Sequence, residues 1–169
     1  IENAAGKTLY LSNIGINGNI VLDSVKIDKN GLYTFEQPQP ASYDFFFIAI
    51  NGAKPIPFAI DSTETITINS DANNFYDSYT IEGNIESQQI KEMNELQAAL
   101  EKQVNGMLKS TSPAIIKTRN EIYTLIGEFK QNISRQYIIP TPDKASAYYA
   151  LSLSLNGEPL FQPKNNRND

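Results

Sequence analysis

The chain has 169 residues, 40% of them hydrophobic and 20% charged, which fits one globular domain or a domain with an appendage. Its net charge of −5 argues against a nucleic-acid binder, which needs a basic face. There is no Cys, His or Trp, and no apolar run of the roughly 18 residues that a membrane span requires, so thiol catalysis, disulfides, Cys-based zinc sites, a His base and His metal ligands are excluded.

Charge and periodicity divide the chain at Gly83. Residues 1–83 carry four Lys against ten acids, while residues 84–169 carry ten bases against nine acids. The hydrophobic period changes there from two to about 3.6, so a strand region precedes a helical one. The expected fold is α+β: a β-sandwich or partly open barrel over 1–83, then a helical extension over 84–169.

In the first part, Lys7–Ser12 and Asn19–Ile27 alternate as strands. Asp28-Lys29-Asn30-Gly31 is a turn, because Asn and Gly tolerate positive φ, and Leu32–Glu36 is expected as its return strand. Pro38 and Pro40 interrupt the ladder. Tyr43–Ile50 is apolar on both faces and reads as a central strand. Ile56–Ile60 and Glu64–Asn69 form a hairpin around Asp61-Ser62-Thr63, and a short strand lies near Ser78–Glu82, which makes about seven strands.

In the second part, Asn84 is placed to cap a helix over 84–109 whose stripe is Ile90, Met93, Leu96, Leu100, Val104 and Met107. Ser112-Pro113 starts a second helix over 112–138, with Ile122, Ile126, Phe129, Ile133 and Tyr137 in its stripe. The two are expected as an antiparallel hairpin. A third helix over 143–155 is expected to stop at Asn156-Gly157, a good C-terminal cap.

Residues that could carry chemistry have plainer roles. Asp23, Asp28 and Asp61 sit at strand ends or turns, where Asp accepts from nearby amides, and no ligand spacing joins them. The Asp28 turn begins like a calcium loop but lacks the downstream bidentate Glu. Ser62 has no nearby base to activate it. Asn132-Ile133-Ser134 matches a glycosylation acceptor but lies mid-helix. Tyr33, Phe35, Tyr43, Phe45, Phe47 and Phe58 read first as core and second as an aromatic platform for sugars or peptides. The second helix carries more apolar surface than one seam uses, so Tyr123, Ile126 and Phe129 are the candidate interaction surface, toward the third helix or a second copy. No catalytic residue, metal site or cofactor is expected.

Several segments resemble a known family. They are Gly6-Lys7-Thr8-Leu9-Tyr10-Leu11; Asp23–Asp28 with Asn30-Gly31 and Tyr33-Thr34-Phe35; Pro57–Ile68; Tyr79-Thr80-Ile81-Glu82-Gly83 before Ile90-Lys91-Glu92; and Ala147–Leu151 with Asn156-Gly157 and Leu160-Phe161. In order and spacing they resemble the N-terminal domain of unknown function that precedes the redox domain in envelope thioredoxin-like proteins of Bacteroidetes. Those proteins are similar to TlpA/ResA-type thiol–disulfide oxidoreductases, and many are lipoproteins. The family's redox centre is a Cys-x-x-Cys in a C-terminal domain, and nothing here matches it.

The resemblance implies a non-catalytic accessory region of a thiol–disulfide oxidoreductase, positioning the redox domain or binding a partner. The alternative is a stand-alone carbohydrate- or peptide-binding module of the cell envelope. A self-contained hydrolase is disfavoured, because a nucleophile–base pair is missing. Expected partners are a protein or a second copy, with no nucleic acid, and a membrane only through a lipid anchor outside this chain. The chain begins at Ile1 rather than Met, which fits a processed or cut protein that has lost a signal peptide, and a periplasmic or envelope location.

Overall fold

The structure, a computed structural model, describes residues 1–15, 18–61, 63–109 and 115–161. The class is α+β, and the chain forms two compact units, Ile1–Lys91 and Glu92–Asp169. Ser62 and the Ser112-Pro113 start signal lie outside the described residues.

The first unit is built on an antiparallel sheet of β1 (Thr8–Gly15), β2 (Gly18–Lys26), β3 (Asp44–Ile50) and β4 (Ile56–Ile60) in the order β2-β1-β3-β4. The register pairs Leu9 with Ile50, Leu11 with Ile48, Ile48 with Ile56 and Phe46 with Phe58, so these side chains share one face. That face is the core, with Leu9, Ile48 and Ile56 fully buried. A register shift after Leu11 leaves Leu22 as the extra residue of a β-bulge on β2. A two-stranded sheet of β5 (Thr67–Asn69) and β6 (Thr80–Glu82) adds Ile68 and Ile81 to the same core.

The Asp28 turn forms as expected. Its carboxylate accepts from the amides of Asn30 and Leu32, each at 2.8 Å, and Gly31 takes a φ of 80°. The return strand does not form: Leu32–Glu36 makes no ladder, which leaves six strands among the described residues of this unit rather than about seven. The cause is the pair Tyr33 and Phe35, whose rings stand 6.0 Å apart and pack against the core cluster. Residues at i and i+2 share a face in either placement, and the Tyr33 hydroxyl, which donates to the Ile68 carbonyl at 2.8 Å, puts the segment over the face of the sheet instead of beside β2.

Strand β4 forms despite Pro57 because it is an edge strand. Both polar backbone groups of Ala59 are engaged by Ser87 from outside the sheet, so Pro57 and Asp61, in phase with it, also face outward. Pro57 has no N–H to offer, and the Asp61 amide is directed to the Glu64 carboxylate at 3.4 Å. The opposite edge, β2, exposes Ile20, Val21 and Leu22.

Helix α1 (Ile85–Leu108) starts at the expected cap: Asn84 Oδ1 accepts from the Ser87 amide at 2.8 Å. In the second unit α1 buries Met93, Leu100 and Val104. Helix α2 (Ile115–Ile133) ends in a π-helical turn, Ser134–Ile138, where the Ile139 amide reaches the Ser134 carbonyl. Tyr137 on this turn donates to the Glu92 carboxylate on α1 at 3.1 Å.

The third helix is shorter than 143–155. Helix α3 covers Ala145–Leu151, and Ser154-Leu155 (β7) pairs with Glu158-Pro159 (β8). Asn156 and Gly157 both adopt positive φ, 51° and 86°, so they turn a hairpin rather than cap a helix. This part is held to α1 by Tyr149, which donates to Asn94 Oδ1 at 2.8 Å, and by Gln97, whose Nε2 donates to the Ser154 carbonyl at 2.7 Å.

Candidate functional site

On the core face of the four-stranded sheet, within the first unit, lies a cleft of about 690 Å³. Its floor is Leu11, Phe46, Ile48, Phe58 and Ile60. One wall is the extended strap, residues 31–40, and the other is residues 63–69 leading into β5. The Phe46 and Phe58 rings stack on the floor, 5.6 Å apart at 23°.

The strap is tied at one end. Its first residues follow the Asp28 turn, and the Ile1 amino group donates to the Gly31 carbonyl. A Cβ on Gly31 would fall 2.6 Å from the Ile1 carbonyl oxygen, so glycine is required by contact as well as by φ. Tyr33 crosses the cleft and donates its hydroxyl to the Ile68 carbonyl at 2.8 Å. Burial pushes its phenol up to about 12, so the group stays a neutral donor at neutral pH. Beyond it, Thr34, Glu36, Gln37, Pro38 and Gln39 are exposed while Phe35 is half-buried.

The cleft divides the aromatic residues singled out from the sequence. It gathers Tyr33, Phe35 and Phe58, whereas Tyr43, Phe45 and Phe47 are not among its lining. Phe45 and Phe47 point to the opposite face of β3, in alternate phase to Phe46. Phe46 was missed as a site residue; its phase with Ile48 and Ile50 is the signal that places it with the core face. Residues 63–69 were also missed, because only the chain's return over the sheet brings them opposite the strap.

The acidic residues remain separate. Asp23 accepts from the Ser24 amide on β2, Asp28 caps its turn, and Asp61 follows β4. Among the described residues no group of three metal-capable side chains occurs, and no helix is long and apolar enough to cross a membrane.

Tyr123, Ile126 and Phe129 lie on α2 at intervals of three, a single face. Tyr123 is 58% exposed, while Ile126 and Phe129 are half-buried. The Arg119 guanidinium sits 5.6 Å from the Tyr123 ring and donates to its hydroxyl at 3.2 Å.

A family model described as "Domain of unknown function (DUF4369)" matches residues 1–90, which is the first compact unit short of its last residue. No curated protein and no solved structure matches the chain.

Proposed function

Because the chain belongs to the DUF4369 family, whose members carry a domain of unknown function, we propose its role from the cleft: the first unit is a non-catalytic binding module that receives a partner's apolar segment. The observation that carries this reading is the combination of an apolar floor and a cavity of about 690 Å³, the size range of sites that enclose a ligand.

The chemistry of the lining supports binding over turnover. The floor is aliphatic and aromatic, the ionisable side chains at the rim are Glu36 and Glu64, and the chain holds no Cys or His. Glu64 is engaged as an acceptor by Asn84 Nδ2 at 2.8 Å, a structural use.

The finer reading draws on the resemblance to envelope thioredoxin-like proteins. In it, this chain is the accessory region that presents a partner to, or positions, a thiol–disulfide oxidoreductase domain, in an envelope or periplasmic protein. The natural reading frame tests that part: a downstream Cys-x-x-Cys in a strand–helix pattern supports it, and a frame without one removes it. The binding role is tested on a combined peptide and glycan array with the 169-residue chain. Peptide hits weakened by Ile60→Ala or Phe35→Ala are expected; glycan hits alone would favour the carbohydrate-binding alternative, and a blank array would remove the binding role.

A further inference from the structure

Two stretches of backbone face each other across the cleft without partners in any ladder. Among the described residues, 33–41 and 63–66 make no backbone–backbone hydrogen bond. Strand β5 pairs with β6 on one side only. Ile68, opposite Ile81 in that pairing, accepts the Tyr33 hydroxyl, so its carbonyl points away from β6 and toward the strap. In a strand, residues two apart present their polar groups to the same side, so Ile66 faces the cleft as well.

The spacing fits one more strand. A tyrosine side chain reaches about 6.5 Å from its α-carbon, and with its hydrogen bond it holds the two walls up to about two strand spacings of roughly 4.8 Å apart. Tyr33 thus bridges the two walls at one end of the cleft, within the reach that one added strand needs.

The geometry points to strand addition: the cleft takes an extended peptide segment of a partner, hydrogen-bonded along residues 34–37 on one side and along residues 64–66 and β5 on the other. This rests on the binding reading above and names its ligand class. An inserted strand directs every second side chain inward, where the half-buried Phe35, Ile60 and Ile66 offer apolar surface, and leaves the others in solvent. Pro38 and Pro40, in phase with Thr34 and Glu36, have no N–H, so the strap's donors to the slot end at Glu36 and the added ladder is short. Glu36 and Glu64 at the rim, in a region of ten acids against four Lys, select a neutral or basic segment over an acidic one. An acyl chain would fill the floor but leave the facing backbone groups without partners, and a sugar would find an apolar floor with few polar side chains.

The test uses the full chain and synthetic heptapeptides, acetylated and amidated, with Val, Ile or Phe at alternate positions and Thr or Lys between them. The tightest binder is remade with N-methyl groups on its two central amides, a change that cannot unfold the protein. Strand addition expects at least a tenfold loss of affinity on N-methylation, and slowed amide exchange at Thr34, Glu36 and Ile66 when the unmethylated peptide binds. Equal affinity of the methylated peptide, with Phe35→Ala still weakening both, overturns strand addition and leaves the binding reading in place. Binding of palmitate or an oligosaccharide with no heptapeptide binding overturns the peptide as occupant. Absence of binding by all three probes overturns both readings together.

Discussion

The Ser87 hydroxyl holds both polar groups of Ala59, accepting from its amide at 3.1 Å and donating to its carbonyl oxygen at 3.0 Å. Asn84 joins them: its Nδ2 donates to the same carbonyl at 2.8 Å, and its Oδ1 caps α1 at the Ser87 amide. The start of the helix and the outer edge of the sheet are therefore one hydrogen-bonded unit. Ser87 is 0% exposed, so its removal leaves the Ala59 amide buried without a partner. Ser87→Ala is expected to lower stability by about 1–3 kcal/mol in urea denaturation. Asn84→Ala should cost at least about 1 kcal/mol through the lost cap alone. Unchanged midpoints for both variants would refute the link.

Gly83 joins the last strand to that helix at a φ of 122°. A Cβ there would fall 2.1 Å from the Thr65 carbonyl oxygen, against backbone that has little freedom to move. Gly83→Ala combines this clash with a disfavoured dihedral, and a loss of at least about 2 kcal/mol is expected. Gly106→Ala is the control: nothing lies within 4 Å of its added Cβ, and a helical Gly→Ala change should stabilise by about 0.5–1 kcal/mol.

Alkaline pH should loosen both units. Burial pushes the phenols of Tyr33 and Tyr137 up to about 12, and for Tyr137 the bonded Glu92 carboxylate adds to the shift. Tyr149 is raised by burial as well. The unfolded chain loses these protons near pH 10, so the stabilisation is full below 10 and falls as pH rises from 10 through 12. The melting temperature is expected to drop across that window, and Tyr33→Phe or Tyr137→Phe should flatten the drop. Equal slopes in the wild type and both variants would contradict the burial of these hydroxyls.

The α2 face separates packing from contact. Phe129 is half-buried, so Phe129→Ala should cost about 1–3 kcal/mol. Tyr123 is exposed, so Tyr123→Ala should change stability by no more than about 0.5 kcal/mol. If a second copy docks on this face, Tyr123→Ala shifts the sedimentation profile toward monomer without lowering the melting point. An unmoved profile at concentrations where the wild type associates takes Tyr123 out of the contact.

Local chemistry made much of the fold legible. Strands β1 to β4 follow from period-two alternation, the Asp28 turn from Asp-Lys-Asn-Gly, and the start of α1 from Asn84, because each signal acts within a few residues. Leu32–Glu36 was misjudged because alternation is the same for a residue that pairs beside β2 and one that crosses the sheet; the bond from the Tyr33 hydroxyl to the Ile68 carbonyl distinguishes them. Asn156-Gly157 was misplaced for a related reason. Positive φ suits a helix cap and a hairpin turn alike, and only the pairing of Leu155 with Glu158 distinguishes them. The cleft was the least legible feature, since its walls come from residues 31–40 and 63–69 and its floor from three strands, a coincidence in space that no local pattern encodes.

The two margins of the main sheet differ in what they offer a neighbour. Along β4 every outward donor is missing or taken: Pro57 has none, Ala59 gives its own to Ser87, and the Asp61 amide turns to Glu64. Along β2 the margin stays open, with Ile20 54% and Val21 61% exposed. A sheet with one open margin has a valence of one. Edge-to-edge association of the main sheet therefore runs through β2, and a pair joined there leaves only the two β4 margins, which carry no free outward donor.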